Sequence, residues 1–163
     1  MNKKKVYGGL LAFIATVAGI DNAKKFDTLF RDHKKLNLKN PQTLSDKVTY
    51  IELHDQSPLA VSCTDKYAVR EYIEKKGLGD ILIPIYGGGY TQFEDIKLNE
   101  LPDSFAIKAT HGCKMNYLVQ DKSKFDSEKC KKEIRRWMNT TYGTYSMEPH
   151  YIKIPHRFYI EKY

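Results

Sequence analysis

An α/β fold is what the apolar patterning of this 163-residue chain predicts. Two kinds of period carry that expectation. Phe105, Ile107 and Ala109 alternate with Ala106 and Lys108, and Phe158 and Ile160 alternate within Arg157–Tyr163, which is the period of a half-buried strand. Ala68, Val69, Tyr72 and Ile73, and further on Cys130, Ile134, Trp137 and Met138, recur at spacings of one, three and four, which is the period of a helix face. The length suffices for one domain with a real core and is short for two.

The first 35 residues form a basic and apolar N-terminal segment. Lys3-Lys4-Lys5 precede an apolar run from Val6 to Ile20, and Lys24, Lys25, Lys34 and Lys35 follow it. Fifteen residues fall short of the roughly 20 that span a bilayer. A packed or interfacial helix is expected, with peripheral contact to a membrane surface left open, although Gly8, Gly9 and Gly19 weaken a helix. Asp27 to Lys39 is polar and basic, a short helix and connector. Thr43-Leu-Ser-Asp46 has the spacing of a capping box and opens a helix ending near Asp55.

Asp65 opens the next helix, and Gly77 supplies its stop. Lys66 falls in its first turn, where free amides and the positive end of the dipole favour an anion; a plain surface lysine is the alternative. Ile81–Tyr86 reads as a strand that Pro84 confines to an edge or a strand start. Gly87-Gly88-Gly89 reads as a turn, since a P-loop needs a Lys-Ser/Thr ending that is absent here. Phe93–Leu101 is short helix or irregular. Lys108 then lies on a strand ahead of the loop His111–Asn116, with a second strand at Tyr117–Val119. A lysine so placed can meet phosphate oxygens with loop amides beside it, or can simply face solvent. Asp126–Asn139 is a helix whose outer face carries Lys129, Lys131, Lys132, Arg135 and Arg136, a solvated surface or a site for an acidic substrate. Thr140–Tyr151 reads as a tyrosine-rich irregular loop.

Apolar residues make up 41% and charged residues 29%, which excludes a disordered chain, and a net charge of +7 favours anionic partners. With no arginine-rich tract or RNA-binding signature, nucleic acid is not among the expected ones. Cys63, Cys113 and Cys130 are odd in number and widely spaced, as reduced thiols are. No two histidines stand three to five residues apart, so no zinc spacing exists and no metal ligand is assigned.

Phe105-Ala-Ile-Lys108-Ala-Thr-His111-Gly112, followed by Asp121-Lys122 and Phe125-Asp126, resembles the ATP-binding core of ATP-grasp proteins. The similarity is to the TupA-like branch, associated with teichuronopeptide synthesis and bacterial surface-polysaccharide genes. Leu36–Thr43, Thr64–Tyr72 and Arg157–Tyr163 fit the same pattern in order, so the resemblance runs over 36–163. It implies ATP as cofactor, held by Lys66 and Lys108 on the phosphates, His111 and Gly112 in a flap over them, and Glu161 with Tyr163 beside adenine.

The resemblance also implies magnesium, whose ligands in the family lie beyond the hinge strand where this sequence ends. The expectation is therefore the N-terminal part of an ATP-grasp fold, incomplete at the C-terminus, with an exposed hinge strand prone to edge association. The implied chemistry is ATP-dependent carboxylate activation and ligation. Sugar transfer in polysaccharide synthesis, and a non-catalytic remnant or a binding subunit completed by another chain, are the alternatives. Anionic polysaccharide or its precursor is the implied further partner. Intracellular ATP implies a cytoplasmic location, at the membrane surface if the first helix is interfacial. Two departures stand out: Leu44 and Asp46 replace the family's Phe and Glu, and Cys113-Lys114 stand where a second flap glycine is usual.

Overall fold

Strand pairing organises the half of the chain that holds the candidate site. The computed structural model describes residues 3–163, with side chains from Val6 onward except Tyr145. Four antiparallel strands, β1 (Ile85–Tyr90), β2 (Phe105–Ala109), β3 (Asn116–Val119) and β4 (Phe158–Lys162), form one sheet in the order β1-β4-β2-β3. The last strand in sequence is thus central, paired to β2 from Lys162↔Phe105 to Phe158↔Ala109 and to β1 on its other side. This corrects the expectation of an exposed hinge strand: both of its ladders are occupied, and the sheet edges are β1 and β3.

The two sheet faces differ as the alternation requires. Phe105, Ile107, Ala109, Phe158 and Ile160 point to one side and are fully buried. They pack against Cys130, Ile134 and Trp137 in one hydrophobic core. Those three residues lie on the amphipathic helix Ser127–Met138, which Asp126 caps through its carboxylate on the Lys129 N–H at 2.9 Å. Each fully buried Phe or Ile stabilises by about 1.5–3 kcal/mol. The opposite face of the sheet is left to Ala106, Lys108, Tyr159 and Glu161.

Two further corrections concern β1. The strand begins after Pro84 rather than at Ile81, and residues 79–81 form a 3-10 turn. Gly87-Gly88-Gly89 lies inside the strand, not in a turn. A Cβ on Gly88 would stand 2.3 Å from the Tyr67 ring and 2.9 Å from the Tyr159 Cβ, so the sheet and the ring close together only over a glycine. Register shifts flank Gly87-Gly88, and Gly89 adopts a φ of +78°.

In chain order the helices among the described residues are α1 (Lys3–Ala18), α2 (Ile20–Asp32), α3 (Leu44–His54), α4 (Pro58–Thr64), α5 (Val69–Lys75), α6 (Ser127–Met138) and α7 (Tyr142–Ser146). At the start of α3 Thr43 and Asp46 complete a reciprocal capping box, so the shorter Asp serves where Glu is usual. Gly19, at φ +87°, turns α1 back into α2, which runs to Asp32 and so takes up only the first part of the stretch expected as short helix and connector. Leu11 and Ala23 of this hairpin share a second core with Leu38, Leu53 and Met147. No helix among the described residues is long and apolar enough to cross a membrane. The helix α7 falls where an irregular loop is expected, and α4 starts with Ser57 capping the Ala60 N–H at 3.1 Å and Pro58 in the first turn.

Candidate functional site

Asp65 fixes the turn that presents Lys66. Its buried carboxylate accepts the N–H groups of Tyr67 and Ala68 at 2.8 and 3.0 Å, and its second oxygen takes Arg157 Nη2 at 2.8 Å. The turn is therefore capped on its own, which is why α5 begins only at Val69, shorter than the helix expected from Asp65. Thr110, fully buried, ties the end of β2 to the start of β4: its N–H donates to the Arg157 carbonyl at 2.9 Å and its hydroxyl to the Pro155 carbonyl at 2.9 Å. The Lys66 N–H meets the Thr110 carbonyl at 3.4 Å. Three segments far apart in sequence thus converge on one corner of the sheet.

From that corner runs the loop 110–115, closed by the Ala109 N–H on the Met115 carbonyl at 2.9 Å. Lys66 Nζ donates to the Gly112 carbonyl, and Gly112 is tightly seated, since a Cβ there would stand 2.8 Å from Met115 Sδ and 3.1 Å from Tyr142 Cβ. Burial pulls the Lys66 ammonium below the usual lysine value, and the like charge of Lys108 pulls the same way, against the opposing pull of Cys113 and Asp65. No carboxylate among the described residues pairs with it. Its Nζ lies 5.8 Å from the centre of the Tyr151 ring, and Tyr151 Oη is 3.5 Å from Cys113 Sγ. Burial, together with a hydrogen bond to Cys113, raises the phenols of both Tyr142 and Tyr151. Lys114 takes the strained position of the loop at φ +61°, in the region where a second glycine would sit without cost.

Lys108 stands on the same side of β2 as Ala106, and its ammonium pairs with the buried Glu161 carboxylate across the β2–β4 ladder. Burial and the Glu161 charge raise the neighbouring Tyr159 phenol. Tyr67 stacks tilted against Tyr159 at 5.9 Å, and the Arg157 guanidinium lies 5.6 Å from the Tyr67 ring centre. A polar, aromatic face results, running from Arg157 through Tyr159 to Lys108.

The residues singled out in the sequence do not all meet. Lys66 and Gly112 do, through the hydrogen bond from the ammonium to the carbonyl, and Lys108 lies near enough for its like charge to act on Lys66. His111 belongs to the same loop, but its ring is fully buried, with Nε2 3.0 Å from the Trp137 carbonyl and the ring stacked on His156 at 3.9 Å. The Trp137 carbonyl can only accept, so the ring donates from Nε2, and burial holds the imidazole below the usual histidine value, with the neighbouring His156 and Lys66 charges adding to that effect. Glu161 comes into the cluster through Lys108. Tyr163 is exposed at the far end of β4, its hydroxyl accepting from Gln120 Nε2 at 3.3 Å.

Sequence reading missed the Asp65–Arg157 pair and the Thr110 knot, because both depend on contacts over 92 and 47 residues. Tyr159 carried a usable signal, since alternation puts it on the side of Glu161. The fold and site together define an α/β protein with a small antiparallel sheet, helix-backed on one face and carrying the Lys108–Glu161 pair on the other. A family model described as TupA-like ATPgrasp matches residues 46–163, and the chain belongs to that family. Neither a curated protein nor a solved structure matches.

ATP-grasp proteins generally bind ATP and magnesium. The residues described here do not form a magnesium cage: no three His, Cys, Asp or Glu side chains converge among them. The two carboxylates nearest the lysines are engaged, Glu161 by Lys108 and Asp65 by Arg157.

Proposed function

We propose that the chain binds ATP on this sheet face, with the phosphates between Lys66, Lys108 and the loop 110–115, as part of an ATP-grasp ligase of surface-polysaccharide synthesis. The observation that carries the reading is Lys66: a largely buried ammonium with a backbone carbonyl and no carboxylate as its partner is under-neutralised, and an arriving phosphate would supply the missing charge. Lys108 plays a different part. Glu161 orients it, and a phosphate oxygen would share its remaining protons. Gly112 and its neighbours lend backbone N–H donors, while His111, anchored on Trp137, holds the root of the flap rather than touching ligand.

The reaction proposed is attack of a substrate carboxylate oxygen on the γ-phosphorus, with ADP leaving, followed by an amine displacing phosphate from the acyl phosphate. Membership of the family supports the class of this reaction. On this chain we assign only the nucleotide-holding residues to it.

A thermal-unfolding titration with magnesium-ATP tests the binding. At about 100 times the dissociation constant, a ligand of the folded state adds about 2.7 kcal/mol, which for a chain of this size is a rise of about 5–10 °C. Lys66→Met, which removes no carboxylate's partner, should fold and lose that rise. A folded parent chain whose transition does not move with ATP contradicts the reading.

A further inference from the structure

The N-terminal hairpin carries an apolar surface that the rest of the chain leaves uncovered. On α1, Val6, Leu10, Phe13 and Val17 recur at spacings of four, three and four, one stripe of a helix, and all four are exposed, Phe13 by 65% and Val17 by 70%. Leu11, with Tyr7, Ile14 and Ala15 beside it, takes up the packing against the second core instead. On α2, Phe26, Leu29 and Phe30 are exposed as well, with Phe30 stacked on Phe26 at 6.1 Å and linked to α1 through half-buried Tyr7 at 5.3 Å. Scattered exposed apolar residues need no explanation, but a helical stripe with further exposed aromatics on the other helix of the same hairpin does.

Charge decides what covers it. Residues 1–35 hold eight Lys or Arg against three Asp, and α1 has no acidic residue at all. The contacts of Tyr7 with Asp27 and Phe30 show that the helices run antiparallel. Residues 3–5 therefore lie at the same end of the hairpin as Arg31 and the exposed Lys34 and Lys35. A second copy would bring the same positive excess to this rim and meet repulsion. A surface of anionic headgroups over acyl chains complements both parts, taking the stripe into its boundary and the lysines on its phosphates.

We propose that the α1–α2 hairpin docks the protein on an anionic lipid bilayer, lying in the interface without crossing it. The inference rests on the hairpin, which precedes the matched residues 46–163, and not on nucleotide binding. Co-sedimentation of the full chain with vesicles of phosphatidylcholine, with and without one-third phosphatidylglycerol, tests it. The parent should bind the mixed vesicles, release in high salt, and bind the neutral ones weakly. Phe13→Glu with Val17→Glu should lower affinity at least a hundredfold. Lys34→Gln with Lys35→Gln should lower it at least tenfold, at about fivefold for each lysine near the surface. Both substitutions sit at exposed positions, and unchanged melting confirms that the fold is kept. Failure of the parent chain to bind the mixed vesicles overturns the proposal whatever the variants do. So does equal binding to neutral vesicles, or a dimer in sedimentation velocity that the stripe variant dissociates, which would assign the stripe to a second copy.

Discussion

Removing Lys108 should destabilise the chain by more than the loss of one surface lysine. The Glu161 side chain is only 6% exposed, whereas that of Lys108 is 30% exposed, so the two partners are not equivalent. Lys108→Met leaves a buried carboxylate with Tyr159 as its remaining neighbour, and breaking a buried pair from one side costs about 3–5 kcal/mol. Because Lys108 reaches water, the figure here belongs at or below the low end, about 2–3 kcal/mol. Glu161→Gln should cost less, about 1 kcal/mol, since the freed ammonium can turn to solvent. The double variant should lose about 1–2 kcal/mol less than the sum of the two singles, the signature of a coupled pair. Urea unfolding of the four proteins measures the cycle. A Lys108→Met variant within about 0.5 kcal/mol of the parent, or strictly additive singles, would refute the reasoning. The result also bears on function, because loss of nucleotide binding in a Lys108 variant is interpretable only once its folding has been measured.

Further outcomes follow from the buried groups. Burial pushes the Cys130 thiol up to about 12, while Cys63 and Cys113 are exposed, so a thiol reagent should count two groups in the folded chain and three in denaturant; three in the folded chain would place Cys130 outside the core. Gly88→Ala should cost about 1–3 kcal/mol in urea unfolding, because the Tyr67 ring must leave the sheet, and parent-like stability would contradict that close approach. Acid should weaken the fold in two stages. The unfolded chain protonates its histidine near the usual 6.5 while buried His111 resists, so the stability His111 allows at neutral pH declines as pH falls below that value, and His111→Leu should flatten the slope there. The Asn37 N–H and the Thr43 hydroxyl hold the Asp46 carboxyl below its usual 3.8, so the stability it adds is present above about pH 4 and lost as pH falls through the lower folded value, which Asp46→Asn should abolish. Urea midpoints measured from pH 3 to 8 separate the two.

How much of this was legible in the sequence depended on the range of the interactions. The alternation at Phe105–Ala109 and the helical spacing from Cys130 to Met138 forecast β2 and α6 closely, because each pattern is set by the one face it buries. The Thr43–Asp46 box was legible for the same local reason. In sequence the β1 glycines point to a turn because glycine signals backbone freedom, whereas the structure uses the missing side chain to admit Tyr67. The central position of β4 is not legible, because strand order is a matter of pairing over long sequence separations, which no local pattern records. At the site, the strand that carries Lys108 is legible in the sequence, whereas what draws the Lys66 turn to the end of that strand is not: it rests on the Thr110 knot and on Asp65 holding Arg157.

The proposed function requires that the two lysines and the loop grip phosphates. Calorimetric titration of the chain with magnesium-ATP, ADP and AMP in parallel tests it most directly. Affinity should fall stepwise as phosphates are removed, and Lys66→Met should narrow the gap between ATP and AMP by at least tenfold. Equal affinities for the three nucleotides, or a gap that survives Lys66→Met unchanged in a folded variant, would contradict the claim.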